Sequence, residues 1–212
     1  MLPGVGHACG DDTLTSRQHV ERRVKGTLFV DYVRMLRSRR DVDWSKHLQP
    51  DDLSFLVQRI EPETWYPMES FERMGLAILV EVASNDLEVV RAFGRMSIDW
   101  LVSQHGNLIA QSDPRDSLMR FQVLRRSFFD YAALELVSVS DGEATLTIAY
   151  GMSPRAEEAA SWQTLGFFER LLEVAGGSKV RAWFSARSWK GDLLTEVQLR
   201  WSDPISEPKP RP

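Results

Sequence analysis

Four histidines are the first place to look for chemistry in this chain: His7, His19, His47 and His105. None has a second histidine or a cysteine at metal-ligand spacing, which a zinc site needs to complete its tetrahedron of nitrogen and sulfur donors. His105 falls at the end of a helical pattern, where an imidazole could ligate an iron or simply favour the helix dipole and face water. Cys9 is the only cysteine, so an intrachain disulfide is impossible and a thiolate-rich zinc site is excluded. No Gly-x-Ser-x-Gly elbow occurs, and no glycine-rich phosphate loop precedes a helix. Carboxylates are paired at Asp11-Asp12, Asp51-Asp52 and Glu157-Glu158, and helix-start electrostatics account for the last two without acid–base work. Gly75 and Gly94 stand alone inside helical stretches, where close packing is a simpler reading than a cofactor cradle. The expectation is a protein that is not an enzyme, with no catalytic residue, no metal and no cofactor.

Aromatic residues carry more signal. Trp65, Tyr66, Phe93, Trp100 and Phe121 belong to the first half of the chain. They could line an apolar pocket for a small ligand, or could be plain core in which each ring buries a large area. A second group, Arg181, Trp183, Arg187 and Arg200 with Glu196, is assigned by strand alternation to the outer face of the last hairpin. Exposed tryptophan among arginines suits a protein-binding hot spot, and equally a solvated sheet face with cation–π contacts.

The elements that position these groups follow from periodicity. Leu28, Phe29, Tyr32, Val33 and Leu36 recur at helical spacing before the basic cluster Arg37-Ser38-Arg39-Arg40. A short helix opens at Pro50-Asp51-Asp52, and a longer one spans about 67–83, with Pro67 able to take its first position. The next, about 86–105, carries Val89, Val90, Phe93, Met96, Trp100 and Leu101, and Gly106 is expected to end it in the left-handed conformation. Asp113-Pro114 starts another helix, bearing Leu118, Phe121 and Leu124.

Two antiparallel hairpins follow, at 133–150 and 179–201, separated by a helix at 155–175. Asp141-Gly142 is a strong two-residue turn, which places Val139 opposite Ala144, Val137 opposite Leu146 and Ala133 opposite Tyr150. Alternation of Val197, Leu199 and Trp201 with Glu196, Gln198 and Arg200 demands one buried face. Apolar matching then sets Phe184 across from Val197 and Ala182 across from Leu199, because a one-residue slip would bring Arg181 and Trp183 against the apolar set. The helix shows Trp162, Leu165, Phe168, Leu172 and Ala175 on one side, with Glu157, Glu158, Glu169 and Glu173 off that stripe, and stops at Gly176-Gly177. The fold class is α+β: an N-terminal helical subdomain packed on a four-stranded antiparallel sheet of ββ-α-ββ order.

The chain has 212 residues, 43% of them hydrophobic and 26% charged, which suits one globular domain with a sizeable core. Residues 1–23 read as a loose extension without an apolar signal-peptide region, 24–202 as the domain, and 203–212 as a proline-rich tail. A net charge of −4 and a pI near 5.6, with basic residues only in short groups at 37–40 and 125–126, argue against nucleic acid. The longest apolar run, around Gly75–Val80, cannot span a bilayer, and the expected location is cytoplasmic.

Several short motifs resemble a known family. Val24-Lys25-Gly26-Thr27 precedes the first helix, Trp65-Tyr66-Pro67 heads another, and Ala92-Phe93-Gly94-Arg95 lies inside the next. Gly166-Phe167-Phe168-Glu169-Arg170-Leu171-Leu172-Glu173-Val174-Ala175-Gly176-Gly177 precedes a last strand ending in Arg200-Trp201. In this order they resemble the uncharacterised myxobacterial paralogous family. It is related to the superfamily of haem–nitric-oxide sensor domains and 4-vinyl-reductase-like ligand-binding domains. The resemblance implies helices packed on a four-stranded sheet with a pocket between them. It does not imply haem: the sensors' Tyr-x-Ser-x-Arg propionate clamp is absent, Leu124-Arg125-Arg126-Ser127 lacks the tyrosine, and the zinc-binding cysteines of some relatives are missing. The leading expectation is a sensory or interaction domain that takes a small apolar ligand. The alternatives are a solid-cored module for a protein partner and a haem-dependent gas sensor using His105.

Overall fold

The computed structural model describes residues 21–202. The segment carrying His7, Cys9, Asp11, Asp12 and His19, and the proline-rich segment from Asp203, lie outside them.

A short antiparallel ribbon opens the fold, β1 (Arg23–Lys25) pairing with β2 (Trp65–Pro67). Between them run α1 (Gly26–Ser38) and α2 (Pro50–Phe55). Asp52 closes a capping box on the Gln49 N–H and, fully buried, also receives the guanidinium of Arg73 in two bonds of 2.6 and 2.9 Å. Next come α3 (Met68–Glu81), α4 (Leu87–Gln104) and α5 (Pro114–Leu124). Pro67 does not open α3 from inside. It ends β2 in extended geometry and caps the helix, because pairing with Arg23 holds it in the ribbon. Asp86 and Asp113 cap α4 and α5 by accepting the N–H groups of Glu88 and Asp116.

At the far end of α4, Gly106 does not take the left-handed conformation. His105 leaves helical geometry instead (φ −125°, ψ 72°) while its N–H still bonds the Leu101 carbonyl, so no glycine stop is needed there.

The strands β3 (Leu134–Ser140), β4 (Glu143–Ile148), β5 (Ser178–Ala186) and β6 (Thr195–Ser202) form one antiparallel sheet in the order β3-β4-β6-β5, with α6 (Pro154–Val174) crossing over it. Phe184 faces Val197, Ala182 faces Leu199 and Val139 faces Ala144, as the alternation requires. The first hairpin departs from strict alternation. A bulge between Leu136 and Ser138 sets Leu136, not Val137, opposite Leu146 and leaves Val137 62% exposed. Beyond it Leu134 faces Ile148, and Ala133 receives a hydrogen bond from Ala149 instead of opposing Tyr150. The extra residue of a bulge shifts register by one, which an alternation count cannot register. Gly176 ends the run after α6 at φ +95°, the left-handed stop that its lack of a Cβ makes inexpensive.

The inner face of the sheet, with Leu146, Ile148, Val197 and Leu199, packs against Leu165, Phe168 and Leu172 of α6 in one continuous core. Two acidic residues off the apolar stripe of α6, Glu157 and Glu169, are also buried, each with polar partners. No helix among the described residues is long and apolar enough to cross a membrane.

Candidate functional site

The site is built around α4. On one side α4 crosses α6 with backbones in contact. A Cβ at Gly94 would collide with the carbonyl of Gln163, and a Cβ at Gly166 would collide with the carbonyl of Arg91. Two glycines thus open reciprocal notches, and close packing explains Gly94 fully. Beside the crossing Arg91 makes a two-point ion pair with buried Glu169, and Arg95 bridges Glu169 at 3.4 Å and Glu173 at 2.7 Å. These charges lock the angle and the axial position of the two helices, since a guanidinium fork matches a carboxylate in only one geometry.

On its other side α4 stands away from α1, and the gap is a cavity of about 490 Å³. Three helices wall it with the same i, i+3, i+4, i+7 stripe. These are Leu28, Asp31, Tyr32 and Met35 from α1, Phe93, Met96, Ser97 and Trp100 from α4, and Ala160, Gln163, Thr164 and Phe167 from α6. Phe121, Phe128, Phe129, Leu134, Tyr150 and Phe168 close its inner end. Such a volume falls within the range of small-molecule sites, about 300–1,000 Å³.

Few polar groups reach this wall, and most are committed. Tyr32 Oη donates to Gln163 Oε1 at 2.6 Å. Thr164 Oγ1 donates to the Ala160 carbonyl at 2.9 Å, which makes Tyr150 the donor in its 2.6 Å bond to Thr164 Oγ1. Ser97 Oγ donates to the Gly94 carbonyl. Burial pushes both tyrosine hydroxyls well above the usual phenol value, so both stay neutral. Asp31 and Arg34 stand 3.4 Å apart with side chains 36% and 62% exposed, and mark the open end. Burial raises the Asp31 carboxyl, and Arg34 partly offsets it.

Both tyrosines are held from behind. Tyr32 stacks on Phe71 with centroids 4.2 Å apart, and a Cβ at Gly75 would come within 3.2 Å of its ring, so Gly75 gives the phenol its seat. Around Tyr150, Glu157 accepts the N–H groups of Tyr150 and Met152, while Arg22 donates to the carbonyls of Tyr150 and Gly151. Burial pushes the Glu157 carboxyl up against the pull of those N–H groups.

Of the residues marked in the sequence, Phe93, Trp100 and Phe121 meet in this wall. Trp65 and Tyr66 do not. Held in β2 on the other side of α1, Trp65 lies under the Lys25 ammonium, 4.7 Å from its ring centre. Tyr66 stacks on Phe29 at 4.5 Å and accepts the Glu61 N–H. His105 caps α4 beyond Trp100 and Leu101, the last wall residues of that helix, and does not line the cavity. Arg181, Trp183 and Arg200 share the outer sheet face, with Trp183 40% exposed beneath Arg200. Arg187 is separate, since β5 ends at Ala186 and the Arg187 N–H bonds Asp192 in the hairpin loop. No cluster of three metal-ligating residues occurs among the described residues.

The sequence reading missed Tyr32, Gln163, Thr164 and Tyr150 as site residues. Their one usable signal was the pair of helix glycines, Gly94 and Gly166, which set the tight crossing that leaves α1 standing off.

No protein-family model matches the chain, and no curated protein matches it. Solved structures do. A point mutant of the T. Tengcongensis H-NOX domain is 15% identical with a TM-score of 0.58, over 85% of this chain and 99% of that one. An oxygen-binding H-NOX domain related to soluble guanylate cyclases is 15% identical with a TM-score of 0.56, over 88% and 100%. An H-NOX protein from S. oneidensis, solved in an Fe(II)NO state, is 14% identical with a TM-score of 0.55, over 84% and 99%. The chain therefore has an H-NOX-like fold along nearly the whole length of those domains.

Proposed function

We propose that this protein is a non-enzymatic, cytoplasmic sensory domain that binds a small apolar ligand in the α1–α4–α6 cavity. Within the wider superfamily, its motifs suit the uncharacterised myxobacterial paralogous family. The single observation that supports this most is a 490 Å³ cavity walled by aromatic rings with both inner tyrosines neutral. A ligand wedged between α1 and α4 acts on a helix already fixed to α6 by glycines and ion pairs, so occupancy favours one packing of α1 over another.

The fold likeness favours a second reading, haem, because solved H-NOX structures are haem proteins by their own descriptions. The residues here do not fit that group. Among the described residues the wall holds neither histidine nor cysteine. Tyr32 and Tyr150 are hydrogen-bonded and pushed away from the phenolate a haem iron would take. Met35 and Met96 offer thioethers, which haem proteins use beside a histidine. Two buried propionates need cations, and the one arginine in the wall, Arg34, faces Asp31. A partner-binding role for the Trp183 face is independent of the cavity and gives no reason for it.

N-phenyl-1-naphthylamine, a neutral probe that fluoresces in apolar surroundings, tests the ligand reading. Wild-type protein should bind it saturably, one per chain, and Ala160→Phe, which fills the wall, should abolish this while the protein stays folded. Haemin added to the protein should keep the spectrum of free haemin. A bound Soret band, or absence of probe binding by the wild type, would overturn the proposal.

A further inference from the structure

Resting on that ligand reading, we infer that the cavity selects neutral apolar molecules carrying one oxygen acceptor, a ketone, ester or alcohol, and that the Tyr32–Gln163 pair is its specificity determinant. Every hydroxyl proton in the wall is already spent inside the protein. Tyr32 gives its proton to Gln163, Tyr150 to Thr164, Thr164 to the Ala160 carbonyl and Ser97 to the Gly94 carbonyl.

Gln163 is different. Its Oε1 accepts from Tyr32, whereas its Nε2 has no protein partner among the described residues, and the residue lines the cavity. Turning the amide over would not remove the feature. Gln163 would then donate to Tyr32 Oη, and the phenol proton would become the free one. In either arrangement the pair keeps an uncommitted proton in a wall made mostly of apolar and aromatic side chains, where a donor cut off from water by a ligand and left unanswered is costly. A carbonyl or hydroxyl oxygen on the ligand answers it.

The charge pattern removes ionised ligands. The wall has only Asp31 and Arg34 as full charges, both at the open end and turned to each other. A carboxylate or ammonium carried inward would meet no counter-charge and would lose its hydration. Size follows from the volume: at ~30 Å³ per atom, the share a water takes in the liquid, 490 Å³ holds on the order of 15 non-hydrogen atoms.

The Gln163 backbone carbonyl is the group that abuts Gly94, so its side chain stands at the helix crossing.

The test is displacement of N-phenyl-1-naphthylamine from the full chain by a chain-length-matched series: 2-nonanone, 1-nonanol, nonane and nonanoate. In the wild type the ketone and alcohol should each bind more tightly than nonanoate at neutral pH, because neither carries a charge inward. In Gln163→Leu the ketone-to-nonane ratio should fall about tenfold from its wild-type value, the effect of one buried hydrogen bond, whatever the absolute affinities. Should that variant not fold, Tyr32→Phe serves, with a reduced ratio expected. A wild type that binds the probe but ranks nonanoate first overturns this inference and leaves the ligand reading standing. A ratio unchanged in Gln163→Leu overturns the assignment to the pair. No probe binding at all removes the ligand reading itself.

Discussion

The two flanks of α4 are packed in opposite ways. Towards α6 the helix presents Gly94 and comes into backbone contact, with ion pairs alongside. Towards α1 it presents Phe93, Ser97 and Trp100 and encloses open volume. Bulk and aromaticity therefore do not separate core from pocket in this molecule. The small residues do: glycines draw one pair of helices together, and large rings facing large rings hold the other pair apart.

The sharpest way to break this contrast is to add one methyl group where there is no room. Gly94→Ala and Gly166→Ala should each cost about 3 kcal/mol in urea unfolding, because the obstacle is backbone and cannot move like a flexible side chain. Loss of less than about 1 kcal/mol would mean that the crossing is looser than its geometry.

A buried ion pair away from both flanks gives a second measure. Burial alone would raise the Asp52 carboxyl, but hydrogen bonds from Arg73, Ser70 and the Gln49 N–H prevail and hold it below the ordinary 3.8. A depressed folded-state value means the stabilisation is complete above pH 3.8 and is lost as pH falls through the lower, folded value. Asp52→Asn should cost about 2 kcal/mol at pH 7 and flatten the stability profile below pH ~4, as read by denaturation at a series of pH values.

On the open flank, a far larger addition should be tolerated. Ala160→Phe should change stability by no more than about 1.5 kcal/mol while eliminating probe binding, the reverse of the glycine result. Trp183→Ala on the outer sheet face should have the smallest effect, under about 1 kcal/mol, since the ring is 40% exposed and its defined contact is with Arg200.

Much of the fold was legible because period and punctuation agree. Asp113-Pro114, Asp141-Gly142 and Gly176 sit where local chemistry dictates, and the pairing of Phe184 with Val197 follows from alternation alone. The bulge at Val137 was not legible, since an inserted residue leaves the composition of a strand unchanged. Of the rings that aromaticity singles out, Phe93, Trp100 and Phe121 line the cavity, whereas Trp65 and Tyr66 pack elsewhere. What decides between them is the side of α1 that each faces, a tertiary fact set by the β1–β2 ribbon. Gln163 gave no signal of its own, because a glutamine on an amphipathic helix looks like an ordinary boundary residue.

The cavity wall draws on residues from Leu28 to Phe168, and its central hydrogen bond joins Tyr32 to Gln163 across 131 positions. During vectorial synthesis at about 5–20 residues per second, α1 leaves the ribosome on the order of ten seconds before α6 can meet it. Through that interval Leu28, Tyr32 and Met35 await a partner encoded 131 codons further along the message. The nascent protein thus passes through a window in which a passing hydrophobic molecule, or a chaperone, can occupy the surface that later becomes the wall.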